Sequence, residues 1–274
     1  MLLRIVRFLA NIREHLNRLD SIPQMQDELD ALRSRMDVPP EMLAEFERDR
    51  TTDDYQNVFA KQEPLVSVCV GTYNRADLVV DRCIRSVLDQ DYSNLELIVV
   101  GDCCTDHTVE KIAGINDPRL TFINLPERGR YPENPSWRWM VAGTATVNYA
   151  LKMARGDFIT HLDDDDRYSA DRLGRLVRFA QEKRAELVWH PFWAETSLGK
   201  WKRNDAIRLA SGHITTSAIF YHRWFARIPW DINAYRYCEP GDSNRLRKLK
   251  YLGINACRYP DPLLWHYKEG SQAK

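Results

Sequence analysis

Gly156-Asp157-Phe158-Ile159-Thr160-His161-Leu162 runs without a break into Asp163-Asp164-Asp165-Asp166. No other stretch constrains the chain as much. Phe158 to Leu162 is short, apolar and rich in β-branched and aromatic residues, so it reads as a buried strand. The four carboxylates fall where that strand should end. In an open α/β sheet, ligands bind outside the carboxyl ends of strands. Adjacent carboxylates repel one another, and burying them unpaired is costly. A divalent cation removes that conflict, and oxygen ligands at this density suit Mg²⁺ or Mn²⁺. A bare acidic run is more often a solvated loop. The strand before this one, and the segments described next, favour a site.

Leu65 to Val70 reads as a first strand, closed by the turn Gly71-Thr72-Tyr73-Asn74-Arg75. Asp77 to Leu88 has helical periodicity. Leu95 to Val100 is a second strand ending at Gly101-Asp102, and Thr108 to Ile112 opens another helix. Leu120 to Ile123 is a third, weaker strand. Strands alternating with helices predict a mostly parallel sheet. Its strand tips carry hydroxyl, aromatic, amide and carboxylate groups that suit a nucleotide. A ring can stack on a base, a carboxylate can accept from a base N–H or a ribose hydroxyl, and a metal can clamp a diphosphate. Taken singly, Tyr73 could cap the sheet edge and Asp102 could be a turn residue.

Three segments together carry a family resemblance. Pro64 to Arg75 (PLVSVCVGTYNR) resembles the opening of family 2 glycosyltransferases with the GT-A fold. Val99 to Thr108 (VVGDCCTDHT) is similar to that family's V-D-D-G-S-x-D-x-T. Gly156 to Asp166, with Asp171-Arg172-Leu173 downstream, is similar to its G-x-[FY]-[IV]-x-x-L-D-x-D-D and P-D-R-L. Gly101 stands where Asp is usual, Cys103-Cys104 replace Gly-Ser, and Ala170 replaces a common Pro. Gly143 to Asn148 matches only in part, with Val147 where Arg is frequent. The segment Pro126 to Trp139 is longer and richer in Pro, Trp and Arg than a minimal connection. Its Arg128, Arg130 and Arg138 could contact phosphate or an anionic acceptor, a solvated loop being the plainer expectation.

The resemblance implies roles. Thr72, Tyr73, Asn74, Arg75 and Asp102 would line the nucleotide. Asp163 and Asp164 would face ribose or phosphate, Asp165 would hold the metal, and Asp166 could orient its neighbours. In the second half, Glu186 to His190 and Ile214 to Tyr221 read as strands. Trp189, Phe192, Trp193 and Trp201 form an aromatic group better suited to core packing than to a sugar platform. Cys238 to Leu246 (CEPGDSNRL) resembles the family's [GE]-E-D segment at a helix start, where the catalytic base resides. Gly241 holds the usual Glu position, so Asp242 or Glu239 would serve; Asp242 could also be a helix N-cap. His266 could be an additional metal ligand, as in some GT-A enzymes, although a lone His is more often structural. The implied reaction is inverting transfer from a nucleotide-diphospho-sugar, UDP being the first candidate nucleotide, to a glycan or other hydroxyl acceptor. Its setting would be polysaccharide synthesis. A sugar nucleotidyltransferase, which would want a Gly-rich basic loop after the first strand, and an inactive sugar-binding scaffold are the alternatives.

Residues 1–63 differ from the rest and read as a helical extension with a linker. The GT-A domain then spans 64–274, with nucleotide-sugar binding in 64–175 and acceptor binding in 176–274. Leu9, Ile12, Leu16 and Leu19, then Met25, Leu29, Leu32 and Met36, repeat at helical spacing around Pro23. Packing on the chain's own domain, self-association and docking on a membrane surface through Leu2, Leu3, Ile5 and Phe8 all stay open. Thr51 to Glu63 is polar and reads as the linker. A formal net charge of zero argues against a nucleic-acid binder. No apolar run approaches the ~20 residues of a membrane span, and Met1 to Ala10 is not read as a secretory signal. The six cysteines show no metal-type spacing and are expected as free thiols in a reducing, cytoplasmic setting, with peripheral contact at the inner membrane face a possibility.

Overall fold

The structure is a computed structural model that describes Met25 and residues 28–268. The first helical repeat, with Leu2 to Leu19, lies outside the described residues. Seven strands form the central sheet: β1 (Val66–Thr72), β2 (Leu95–Gly101), β3 (Leu120–Asn124), β4 (Phe158–His161), β6 (Leu187–Trp189), β9 (Ile219–His222) and β10 (Ala256–Arg258). Their order is β10-β6-β9-β4-β1-β2-β3. β9 runs antiparallel to both neighbours, β4 and β6, and every other pairing is parallel. β1, β2 and β4 are almost wholly buried, as continuous apolar strands between two layers should be. The helix Thr144–Met153 packs on β1 and β2, and Arg172–Lys183 on β6.

A second, four-stranded sheet joins β5 (Arg167–Tyr168), β7 (Phe192–Ser197), β8 (Lys200–Asn204) and β11 (Leu264–His266) in the order β5-β11-β7-β8. β5 begins directly after the acidic cluster. Its antiparallel register, Leu264 opposite Tyr168 and Trp265 opposite Arg167, sets His266 level with Asp166. Of the aromatic group noted in the sequence, Phe192 is buried, the Trp189 indole donates to the Ala206 carbonyl at 2.9 Å, and Trp201 meets Tyr267 edge-on.

The stretch expected as a linker does not behave as one. Helix Asp53–Asn57 and the turn after it bury Tyr55, Val58 and Phe59 in the same core as β1 and β4. Tyr55 stacks on His222 with centroids 3.8 Å apart and donates to Glu186 at 2.7 Å. The preceding helix, Pro40–Asp49, buries Phe46 completely, its ring 4.9 Å from Trp224 and 5.5 Å from Phe225. Phe46→Ala is therefore expected to cost about 3–5 kcal/mol of unfolding free energy, read from urea denaturation. A loss below about 1 kcal/mol would show that this helix is a detachable appendage.

Two interior histidines make stability acid-sensitive. His222 accepts from the Trp224 amide at one nitrogen and lies 3.2 Å from the Tyr55 carbonyl at the other. His190 accepts from the Arg172 guanidinium at 3.0 Å and faces the Pro191 carbonyl at 2.7 Å. Each network fits a neutral ring with one N–H. Burial pulls the pKa of His222 down to about 4. For His190, burial and then the nearby Arg172 charge act in the same downward direction. The unfolded chain takes up these protons below its ordinary histidine value and the native state does not. These two rings therefore contribute stability that is full above about pH 6.5 and falls as pH drops, by up to about 1.4 kcal/mol per pH unit for each ring, while buried carboxyls with raised pKa act in the opposite sense over the same range. Urea midpoints of the unaltered chain and of His222→Gln, compared from pH 7 to 4.5, check this, and parallel profiles would contradict it.

Candidate active site

The sheet register builds the site. β1 and β4 pair with Cys69 opposite His161, so three residues further on Thr72 lies level with Asp164, and its hydroxyl donates to that carboxylate at 2.7 Å. β1 and β2 pair with Thr72 opposite Gly101, and the Asp102 amide donates to the Thr72 carbonyl at 2.8 Å. The tips of three strands thus meet through Thr72. Arg75 Nη1 bridges Asp164 at 3.0 Å and Asp165 at 2.8 Å, and Arg82 donates to the Asp165 carbonyl at 2.8 Å.

Asp165, expected at the metal, therefore turns its carboxylate towards Arg75. The atoms that converge belong to Asp163, Asp166 and His266, all within 4.8 Å of one another. Asp166 is fully buried, accepts from the Tyr267 amide at 3.0 Å and lies 2.9 Å from His266 Nδ1. A carboxylate on Nδ1 orients the ring and leaves Nε2 for another partner. Burial drives the Asp163, Asp164 and Asp166 carboxyls above the usual range. Neighbouring carboxylates add to the effect for Asp163, while Arg75 offsets it for Asp164 and His266 offsets it for Asp166. Asp164 reaches about 6. The His266 imidazole, which burial would push down, is raised on balance by Asp166 and the acidic charges around it. A site this reluctant to carry its own negative charge, built from carboxylate oxygens and one imidazole, fits a divalent cation.

The nucleotide side is partly held by the chain itself. Tyr73 is 38% exposed. The Arg128 guanidinium lies 3.7 Å from its ring centroid and 3.6 Å from the Asp102 carboxylate. The Gly129 amide donates to Asp102 at 2.8 Å. Arg128, exposed in its loop, thus leans over Tyr73 and Asp102, whereas Arg138 is bound by the Pro132 and Glu133 carbonyls within its own segment. Asn74, expected to face the ligand, adopts φ 52° and clasps Thr105, accepting from its amide at 2.8 Å and donating to its hydroxyl at 3.3 Å. The departure at Gly101 has a steric cause. A Cβ there would sit 2.6 Å from Asn124 Oδ1 and 3.1 Å from Cys104 Sγ.

The two candidate bases separate clearly. Glu239 is buried, accepts from Arg247 at both oxygens at 2.9 Å and from Asn244 at 2.8 Å. Asp242 is in the first turn of helix Gly241–Tyr251, whose N-cap is Pro240, so Asp242 is not the cap. Its Oδ1 accepts from the Ser243 amide at 2.6 Å, and its Oδ2 lies 3.4 Å from the Thr216 hydroxyl. The next residue, Ser217, accepts from the Asp163 amide at 2.9 Å. The short 3₁₀ turn Thr216–Ala218 therefore couples the acidic cluster to Asp242. Sequence reading missed Thr216, Ser217, Arg82 and Tyr267. The first two precede β9, whose insertion beside β4 no local pattern announces.

Comparison with known proteins gives the same picture. The sequence profile described as "Glycosyl transferase family 2" matches residues 67–134 and 138–232, more than half of the chain. The succinoglycan biosynthesis protein ExoO of Rhizobium meliloti (strain 1021) is 38% identical over 125 residues, 46% of this chain and 32% of that one. The UDP-Glc:alpha-D-GlcNAc-diphosphoundecaprenol beta-1,3-glucosyltransferase WfaP of Escherichia coli is 29% identical over 131 residues, 48% of this chain and 47% of that one. The matches thus span less than half of each relative's length. Among solved structures, the mannosyltransferase PcManGT of Pyrobaculum calidifontis, in complex with GDP-Man and Mn²⁺, superposes with a TM-score of 0.52 at 19% identity, over 90% of this chain and 71% of that one. The fold is the α/β, GT-A arrangement, and the chain belongs to glycosyl transferase family 2.

Proposed function

We propose that this chain transfers a sugar from a nucleotide-diphospho-sugar to an acceptor hydroxyl, with inversion at the anomeric carbon, in the synthesis of a surface or lipid-linked glycan. The observation that carries the reading is the run of contacts along the acidic segment: Thr72 and Arg75 hold Asp164 and Asp165, while the Asp163 amide reaches Ser217, whose neighbour Thr216 lies 3.4 Å from Asp242. It supports a site in which the tip of β1, the acidic cluster and a carboxylate with no cationic partner among the described residues act together. The names of related proteins support the substrate class, since WfaP is named for UDP-Glc and a diphosphoundecaprenol-linked sugar.

In this reading Tyr73 and Asp102 receive the base, and Asp163, Asp166 and His266 hold Mg²⁺ or Mn²⁺, with Asp165 next to them. Such a cation, when bound, neutralises charge on the departing diphosphate. Asp242 accepts the proton of the attacking hydroxyl on the opposite face of the sugar, as a general base. Residues 64–175 would carry the donor and 176–274 the acceptor. Holding the two in line supplies much of the remaining acceleration.

Calorimetric titration of UDP and GDP, with and without Mn²⁺, tests the reading. Metal-dependent binding of one nucleotide is expected, together with hydrolysis or transfer from the matching nucleotide-sugar. Failure of both to bind in the presence of Mn²⁺ would leave a sugar-binding scaffold as the better description.

A further inference from the structure

We propose that the helix of residues 28–37 pairs with the same helix of a second copy of this chain, side by side and in parallel, as a two-stranded coiled coil. The inference does not rest on the transferase reading above. One face of the helix is fastened to the body of the fold. Ser34 and Val38 are buried there. Ser34 Oγ accepts from Arg247 at 3.1 Å, and Arg247 binds Asp37 at 2.6 Å and Glu239 at 2.9 Å. At about 3.6 residues per turn, Leu29, Leu32 and Met36 come round to the opposite face, in line with Met25. All four are exposed, Leu32 to 58% and Met36 to 84%. The described part of the chain's own domain therefore leaves the stripe uncovered, and contiguous apolar surface of this kind marks a contact with another body.

The spacing identifies the kind of contact. Steps of four, three and four residues are those of a coiled-coil seam, with Leu29 and Met36 at a and Met25 and Leu32 at d. This register puts Ser34 at f, the position farthest from a seam, and f is the side that the body of the fold holds. In the sequence, Leu9, Ile12, Leu16 and Leu19 repeat the same steps. Ile22 joins the two runs through one three-residue step in place of four, the irregularity called a stammer.

The charges decide the occupant. A helix that lies on an anionic bilayer carries Lys and Arg beside its apolar face. Residues 27–37 instead carry Asp27, Glu28, Asp30 and Asp37 against Arg33 and Arg35. A second copy fits them. Glu28 falls at g and Arg33 at e. In a parallel coil a g side chain lies beside the e side chain five positions on in the other strand. Each Glu28 thus meets the partner's Arg33, and two-fold symmetry makes the pair twice. Parallel strands also keep the earlier run, Leu9 to Leu19, on the same side in both chains. Antiparallel strands would aim that run at the Pro39-Pro40 end of the other helix, where helix Pro40–Asp49 packs into the core. Because each helix is already held in place by its inner face, pairing does not have to order it first.

Sedimentation velocity of the whole chain, without nucleotide or metal, tests the proposal over a series of concentrations. A species of twice 32.1 kDa is expected to grow with concentration. Leu32→Glu/Met36→Glu should weaken the dimer at least about tenfold, since charge is excluded from an apolar seam. Arg33→Glu alone should weaken it several-fold by setting like charges opposite one another. Glu28→Arg combined with Arg33→Glu should restore it, because the pair is only exchanged. Leu32 and Met36 are at the surface, so far-UV circular dichroism should show the fold intact in every variant. A monomer at all concentrations, or a dimer indifferent to Leu32→Glu/Met36→Glu, would overturn the proposal. A dimer that Arg33→Glu leaves as tight as before would overturn the parallel register. Two further results would assign the stripe elsewhere and sink the idea. Flotation of a monomeric chain with phosphatidylglycerol vesicles, lost in Leu32→Glu/Met36→Glu, would make a bilayer the occupant. A monomer whose melting temperature falls in that variant would mean that residues 1–24 fold back over the stripe.

Discussion

Asp242→Asn is expected to lower the turnover of sugar transfer by about 10²–10⁴-fold, the usual contribution of a positioned general base, with donor KM and Mn²⁺-dependent UDP affinity nearly unchanged. The amide keeps the size and the oxygen that faces the Ser243 amide, but cannot take a proton. Its contacts with Ser243 and Thr216 are few and partly exposed, so the fold should not suffer. Glu239→Gln is the informative control. Its carboxylate is the counter-charge of an almost buried Arg247, and removing one partner of a buried pair typically costs about 3–5 kcal/mol. Glu239→Gln should therefore appear first as a loss of stability and only secondarily as a loss of rate. If the Asp242 variant turned over normally while the Glu239 variant stayed folded and inactive, the two roles would be exchanged. A drop in kcat at constant donor KM marks an interaction made in the transition state rather than in donor binding.

How much of this was legible in the chain depends on whether the signal is local. β1, β2 and β4 are continuous apolar runs ending in polar turns, and a strand buried on both faces writes that pattern directly into the sequence. The acidic cluster was equally plain. Its internal division of labour was not, because that depends on residues brought from elsewhere. Arg75, which is 89 and 90 positions from its partners, draws Asp164 and Asp165 to itself, and the β5–β11 pairing brings His266 to Asp166 across 100 positions. The linker expected at Thr51 to Glu63 shows the opposite failure. Tyr55, Val58 and Phe59 have helical spacing, but polar neighbours dilute them, and burial is decided by what they pack on. Asn74 is assigned to the nucleotide by the family resemblance, and the structure adds what no local pattern announces, a left-handed backbone that brings its amide onto Thr105.

The acidic cluster carries the second large effect. Mn²⁺ binding, followed by calorimetry or by the paramagnetic relaxation of water protons, should weaken about 10–100-fold in Asp166→Asn, the range found when a carboxylate that orients a ligating histidine is removed. His266→Ala and Asp163→Asn should weaken it as well, since all three residues contribute to the converging group. These variants have a second expected signature. Asp163 is a carboxylate whose charge is opposed by burial and by its acidic neighbours, so Asp163→Asn should leave the metal-free protein as stable as before or more so, while it loses the stabilisation that added Mn²⁺ gives; Asp166→Asn also takes the counter-charge from His266 and should lower metal-free stability. Unlike Asp163, a residue that merely supports the fold would lower stability with and without metal. Asp165→Asn separates the geometry from the family resemblance. If Arg75 keeps hold of Asp165, its effect on Mn²⁺ affinity without nucleotide stays well below that of Asp163→Asn. An equal loss would mean that Asp165 leaves Arg75 to reach the ion, and that the guanidinium so released is free for the donor's phosphates. Unchanged Mn²⁺ affinity in Asp163→Asn, Asp166→Asn and His266→Ala alike would remove the metal from this site altogether.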